Sequence, residues 1–455
     1  MELPPHAGEE APPTYNSLMP ATLCSVSAFR WGRRAAPPLL LCLLTALLPG
    51  VRGSTEGTSE RWIGPGVRLL SRHGGPGPQF VLAVEADLDN PYLRTGISVG
   101  RGTALGLEPL SRQVSRLARP DRAVVAAVNG DFFYYPSREQ PGIPTGATVL
   151  GDEVVRTPFR RSALILPPVG TPRIAILNLT GSVRQQDRLL PLSGVNQPRK
   201  SGDLVLYTPW FGSTTRTDAT GLEIELEPEA PMLQHGADLQ VRVAGPPRAA
   251  GNSPISASRW VLSGSGASQN FLRELQAGAI LTLRLDFDPP VTAGEQVIAG
   301  GPRLMREGRV AVEAEGGSLN GAFVTSRHPR TAVGIAGRRL LLVTVDGRQP
   351  GFSAGMSLPE LAEEMRRLGC TDALNLDGGG STTFWVRGLI ANQPSDGRER
   401  PVANGLVLFS TAPYGGPARL ACTPREVHAL PGARVPVAVL AEDQHYNLVA
   451  PPVPL

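Results

Sequence analysis

The apolar residues of this chain come in short runs, and glycine, proline or a polar turn closes nearly every one. Between residues 140 and 300 the runs fall at 147–150, 162–166, 174–177, 204–207, 222–226, 239–243 and 280–287. Short runs rich in β-branched and other apolar residues, bounded by turn chemistry, are strand signals. Glycine and proline make up about a fifth of the 455 residues, ample for many turns and below the level that marks disorder. The expected fold is therefore α+β: a large mixed β-sheet core with few helices and a β-rich middle region. Short helices are expected at 107–117 and 268–276, and a longer one from Ser357.

The ends of the chain read differently. Arg30, Arg33 and Arg34 precede an apolar run at 39–48, then Pro49 and Gly50 break it. Basic residues, a short apolar run and a break form a signal-peptide pattern, with a signal anchor as the alternative. The run is too short for a comfortable membrane span. Residues 1–53 are thus expected to be a leader, 61–412 the main domain, and 417–455 an incomplete immunoglobulin-like segment too short to bury a sandwich core alone. The expected location is secreted, periplasmic or cell envelope, with membrane contact only through an uncleaved leader. Cys370 and Cys422 lie outside the leader and could form one disulfide or stay two buried thiols. The net charge of +4 is mild, and Lys200 is the sole lysine. Scattered arginines without a basic block exclude a nucleic-acid footprint. The bias towards arginine, alanine, glycine and proline suggests a GC-rich bacterial genome.

Polar residues gather where apolar runs end. The run 123–128 stops at Asn129-Gly130-Asp131-Phe132-Phe133. The run 339–345 stops at Asp346-Gly347-Arg348. A capped helix follows, because Ser357 and Glu360 have capping-box spacing and Gly369 is a good stop. The run 373–376 then stops at Asp377-Gly378-Gly379-Gly380-Ser381-Thr382, and strand formers resume at Thr383. The glycine segment reads as a tight turn joining two strands. Three consecutive glycines mark a backbone that needs positive φ or lies close to a ligand. If the strands before Asp346 and Asp377 run parallel, both carboxylates reach one sheet edge. There they could divide acid, base and nucleophile roles, bind calcium or magnesium with Asn129 or Asp131, or cap loops. Arg303 and Arg330, with His328 nearby, suit bidentate phosphate binding. The glycine run could add N–H donors as an anion nest. No lysine follows it, so it is not a Walker loop, and the run itself is not G-x-S-x-G, which disfavours a serine hydrolase; no metal-spaced Cys/His cluster is present.

In order along the chain, the Asn129–Phe133 element, Gly300-Gly301-Pro302-Arg303, Arg330-Thr331-Ala332-Val333-Gly334, Asp346-Gly347-Arg348 and the Asn375–Thr383 element resemble the phosphodiester glycosidase family. The resemblance spans about residues 61–410. It implies a hydrolase that releases an N-acetylglucosamine-like sugar from a sugar-1-phosphodiester. The departing phosphate monoester needs positive charge and N–H donors more than a general acid. The implied roles are Arg330 and Arg303 with the Gly378, Gly379, Gly380 and Ser381 backbone on phosphate, and Asp377 or Asp346 at the anomeric centre. Asn129, Thr331, Thr382, His328 and Asp131 would orient substrate. Asp131 stands where animal members have glycine, so the implied substrate is a bacterial envelope or extracellular sugar phosphodiester. The competing readings are a metal-dependent phosphodiesterase and a non-catalytic envelope glycan-binding protein. No cofactor is implied with certainty.

Overall fold

The computed structural model describes residues 57–75, 77–104, 106–134, 142–158, 160–312, 321–423 and 438–449. The leader expected at 1–53 lies outside them. The elements around the site are β1 (Phe80–Asp87), β2 (Leu93–Val99), α1 (Leu110–Leu117), β3 (Ala123–Asn129), β4 (Arg303–Arg306), β5 (Arg330–Ala336), β6 (Arg339–Val345), α2 (Leu358–Arg367), β7 (Asp372–Asn375), β8 (Phe384–Val386) and β9 (Asn404–Ser410).

Residues 52–412 form one compact unit. Its first sheet has eight strands: Gly57–Gly64, Val67–His73, β1, β6, β5, β7, β4 and Arg309–Val310. A second sheet of five strands runs Leu389–Ile390, β8, β3, β9, β2. They pack face to face through Leu82, Val84, Val333, Leu342 and Leu374 on one side, and Val125, Val128, Phe384, Leu406 and Leu408 on the other. Strand periodicity explains why β6 reads as a continuous apolar run. Leu340 and Leu342 point into this interlayer core, while Leu341, Val343 and Val345 point out beneath α2, against Leu358, Leu361 and Met365. Both faces are covered, so neither can be polar. On the outer side of the second sheet, α1 lays Leu110 and Val114 on Val124, Ala127 and Val407. The layers are helix, sheet, sheet, helix.

The middle of the chain builds another eight-stranded sheet, from Asn178–Gln185 through Ile280–Asp288, and a five-stranded sheet around Gln296–Ala299. The fold is thus strand-rich, with four α-helices among the described residues. The expected single large mixed sheet is replaced by several sheets whose pairings are antiparallel, apart from Gly194–Val195 beside Leu204–Tyr207. Short runs with tight turns favour antiparallel neighbours, because a parallel pair needs a long crossover.

Residues 413–455 form a separate unit with a three-stranded antiparallel sheet, Arg419–Thr423, Ala438–Glu442 and Leu448–Val449. The side chain of Cys422 lies outside the described residues. Cys370 is a free buried thiol under α2, and burial pushes its pKa up to about 12.

The expected turn between β7 and β8 is not a hairpin. β7 belongs to the first sheet and β8 to the second, so the glycine segment crosses from one layer to the other. A single turn of 3-10 helix, Gly379–Ser381, occupies the crossing.

Candidate functional site

One edge of the first sheet gathers the polar groups. β5 lies between β6 and β7 and is antiparallel to both, with Arg330 opposite Val345 and Ala332 opposite Asn375. β6 and β7 are therefore parallel to each other but not adjacent. Their C-terminal ends and the N-terminal end of β5 share an edge, which brings Asp346, Arg330 and Asp377 to one side. The connection between β6 and β7 runs through α2, whose capping box forms as Ser357 and Glu360 foretold, with the Glu360 carboxylate accepting from the Ser357 N–H at 2.8 Å.

The glycine segment is fixed from below. Asn129, buried at the end of β3, donates through Nδ2 to the Asp377 carbonyl at 2.7 Å. Its Oδ1 accepts from the Thr331 hydroxyl at 2.8 Å and from the Thr383 N–H at 3.1 Å. Thr331 also reaches the Thr382 hydroxyl at 3.4 Å. The Asp377 N–H donates to the Gly130 carbonyl at 2.9 Å. Each glycine answers a different constraint. A Cβ on Gly378 would stand 2.7 Å from the Pro329 carbonyl; Gly379 has φ +61; a Cβ on Gly380 would collide with the Arg400 guanidinium and the Asp396 carboxylate. The nest reading narrows, because the N–H groups of Gly378, Gly379, Ser381 and Thr382 already donate to Asp377 Oδ1 and to the carbonyls of Pro329, Gly378 and Gly379. That leaves the Gly380 N–H as the donor the run can offer.

The two strand-end acids have different surroundings. Asp346 is buried and spends both oxygens on one loop: Oδ1 accepts from Asn392 Nδ2 at 2.9 Å and Oδ2 from the Gln393 N–H at 2.8 Å. Burial pushes its pKa up to about 6, against those two donors. Asn392 ties this loop to the segment after the glycines, donating to the Thr382 carbonyl at 3.1 Å and accepting from the Phe384 N–H at 2.7 Å. Asp377 is only partly covered, and one oxygen takes the Gly378 N–H at 2.9 Å. Burial first, and the nearby Asp131 carboxylate second, push its pKa up to about 7, opposed by Ser381 and Arg400. Asp131 is fully buried; its carboxylate accepts from the Gly146 N–H at 2.6 Å and the Thr145 hydroxyl at 3.2 Å, and burial raises its pKa too.

Positive charge gathers beside this edge. Arg330 is 1% exposed, and its guanidinium donates to three neutral carbonyls, those of Met356, Phe323 and Ser326, at 2.9 to 3.0 Å. Burial, and then Arg348, lower its pKa to about 10. Arg348 donates to His328 Nδ1 at 3.3 Å. A guanidinium has no lone pair to offer, so Nδ1 accepts and Nε2 carries the proton. Burial, then Arg330 and Arg348, depress the His328 pKa and keep the ring neutral near pH 7. Arg348 also stands 3.2 Å from where a Gly379 side chain would begin, and it adopts a left-handed φ of 59°. Such strain in a non-glycine residue gathers at ligand sites.

Arg303 is drawn elsewhere. It lies opposite Leu374 on β4, and its guanidinium pairs with Asp372 at the start of β7, the end away from Asp377; it also donates to the Ile174 and Met305 carbonyls. The residues missed from sequence are Arg348, Arg400, Asp396 and Asn392. Arg348 had a signal, its place in an Asp-Gly-Arg turn after a buried strand. Arg400 and Asp396 were visible only as members of a polar loop. Among the described residues no group of three His, Cys, Asp or Glu side chains is placed to hold a metal ion.

Comparison with known proteins adds identity to this geometry. Residues 249–409 match the phosphodiester glycosidase family model. The N-acetylglucosamine-1-phosphodiester alpha-N-acetylglucosaminidase of Mus musculus is 34% identical over 155 residues, 31% of this chain and 30% of that protein. The Bos taurus protein of the same name is 37% identical over 112 residues, 22% of this chain and 21% of its own length. The chain thus spans under a third of these relatives. A presumed exported protein of Burkholderia pseudomallei K96243 shares the fold with TM-score 0.65 and 22% identity, covering 80% of this chain and 98% of its own.

Proposed function

We propose, proceeding from the match of residues 249–409 to phosphodiester glycosidases, that the chain is a hydrolase releasing an N-acetylglucosamine-like sugar from a sugar-1-phosphodiester. The observation that carries the proposal is the convergence of a raised, partly accessible carboxylate with uncompensated guanidinium groups around one glycine turn. Among the described residues the hydrogen-bond acceptors of Arg330 are neutral carbonyls, its guanidinium lies over the Phe323 ring, and Arg348 raises the positive potential beside it. An anionic leaving group supplies the missing counter-charge, and two guanidiniums in a partly dry site stabilise it as the bond breaks.

Asp377 is the base in this reading. With a pKa near 7 it is a competent proton acceptor around neutral pH, where an ordinary carboxylate would be too weak. It takes a proton from the water that attacks the anomeric carbon, while the phosphate monoester departs as an anion without needing a proton. Asp346 is a positioning residue. Its two oxygens hold the loop of Asn392 and Gln393, and Asn392 in turn holds the exit of the glycine segment. Asn129 and Thr331 place the Asp377 backbone. Arg303 has no part in phosphate binding, since it pairs with Asp372. The basic and apolar pattern before residue 53 supports export, so the substrate belongs to the envelope or the extracellular space.

The test is product analysis on a methyl phosphodiester of N-acetylglucosamine-1-phosphate. Free N-acetylglucosamine and methyl phosphate are expected, with the oxygen of isotopically labelled water in the sugar and not in the phosphate. Release of N-acetylglucosamine-1-phosphate would mean P–O cleavage and would replace this reading with a phosphodiesterase. Binding without turnover would leave a glycan-binding protein.

A further inference from the structure

The eight-stranded middle sheet buries one face in the largest apolar core, through Leu204, Leu206, Trp260 and Leu262. Its other face is buried too, and only part of its cover is apolar: Ile143, Phe211 and Ile255 pack on Val205, Tyr207 and Val261. Alternation puts Val205 and Tyr207 there, with Glu223 and Ser263 on neighbouring strands, and all four are buried. Two loops cover them. Glu223 pins both, accepting from the Thr215 hydroxyl at 3.1 Å, the Thr217 hydroxyl at 2.8 Å and the Ser253 N–H at 2.9 Å. Between the loops and the sheet is a cleft of about 700 Å³, within the size range of small-molecule sites. Tyr207, Phe211, Arg199, Thr217, Asp218 and Asn252 help to line it.

At the floor of this cleft the Tyr207 hydroxyl makes no hydrogen bond of normal geometry among the described residues, with the Arg199 backbone beside it, although the side chain is fully buried. A tyrosine hydroxyl buried without a good partner is destabilising, and a ligand that bonds it recovers that loss. Burial also keeps the phenol protonated, so it is a donor as well as an acceptor. Two of the cleft's charges pair with each other, and the exposed Arg216 also lines it. Arg199, whose side chain is 2% exposed, pairs with Asp218 at 2.6 Å and donates to Ser263 at 2.9 Å. What the cleft offers is a phenol, threonine hydroxyls, the Asn252 amide and the Tyr207–Phe211 ring pair. That set suits a ligand with many hydroxyls and no net charge.

We infer that this cleft is a second carbohydrate subsite, which binds a neutral sugar unit through the Tyr207 hydroxyl. It is built from residues 198–252, apart from Asp377 and its arginines, and so does not depend on the hydrolytic reading. A hydrolase of glycan phosphodiesters would use it to hold a neutral stretch of the polymer.

The test is calorimetric titration of the full chain with chitotriose and maltotriose, with inorganic phosphate as control. Millimolar or tighter binding of at least one neutral sugar is expected, and none of phosphate. Tyr207→Phe removes only the hydroxyl and should weaken that binding about tenfold with little change in melting temperature, since no protein hydrogen bond of normal geometry is lost. Asn252→Gly, which keeps the left-handed φ of 48°, should weaken it as well. Turnover of the methyl phosphodiester should not change in either variant. Absence of sugar binding, preference for phosphate, or unchanged affinity in Tyr207→Phe would each overturn the inference. Loss of turnover in Tyr207→Phe would do the same, because it would join this cleft to the reacting centre.

Discussion

Asp377 and Asp346 are alike in sequence and chemically unlike. Each follows a buried strand, yet Asp377 is held by its own glycine turn and partly accessible while Asp346 gives both oxygens to a separate loop. Asp377→Asn should therefore lower turnover by about 10² to 10⁴, the range for loss of a general base, with substrate affinity little changed in a steady-state assay. The wild-type rate should rise with pH to a plateau above about 7, because only the ionised form accepts a proton. Stability should move the other way. The folded pKa is raised by burial and by Asp131, so this group favours folding at acid pH, and that contribution is lost as pH rises through about 7. Asp377→Asn should melt higher than wild type at pH 8 and show no such gain at pH 4. Arg348→Ala should lower kcat/KM at least tenfold, the scale of a charge-assisted contact of about 1.5–3 kcal/mol. Arg303→Ala should lower stability and leave kcat/KM unchanged in the folded fraction. The differences between paired residues of the same type were not legible in sequence. Which arginine meets an acid and which meets only carbonyls is decided by strands far apart in the chain, as Arg303 and Asp372 show.

Elements were easier to read than partners. The continuous run of β6, the capping box and the stop of α2 at Gly369 (φ +83) are local, and local rules gave them. The helices at Leu110–Leu117 and Ser268–Glu274 also fell where the sequence put them. The glycine segment reads in sequence as a tight turn between two strands, and no more than that, because a hairpin and an interlayer crossing use the same turn residues. Only the pairing of Phe384 with Val128, in the second sheet, tells them apart. The insertion of β5 between β6 and β7 was equally hidden, though it is what brings Arg330 to the edge. At this scale the close approach of α2 is testable. A Cβ on Gly334 of β5 would collide with Cys370 Sγ and stand 2.6 Å from the Met365 methyl. Gly334→Ala should cost about 1–3 kcal/mol by chemical denaturation, the usual penalty for overpacking.

Across the whole molecule, carboxylates with raised pKa values gather at one place. Asp131, Asp346 and Asp377 all lie where the two sheets meet the glycine crossing, and burial raises all three. Elsewhere, Glu295, Glu360 and Glu364 are lowered, because arginine hydrogen bonds outweigh the upward push of burial. Ion pairs hold the periphery, and the site keeps its acids away from them, the separation expected of a functional centre. Composition showed a strand-rich, export-compatible chain, but it could not show this division of charge.

Asn129 has one more consequence. It grips the Asp377 carbonyl from the second sheet while Thr331, on the first, grips Asn129. Any sliding of one layer over the other must drag the Asp377 backbone with it, so the placing of this carboxylate doubles as a gauge of interlayer registry. Amide hydrogen exchange at Asp377 and Thr383 should then slow together when a substrate analogue binds, and quicken together in Asn129→Ala.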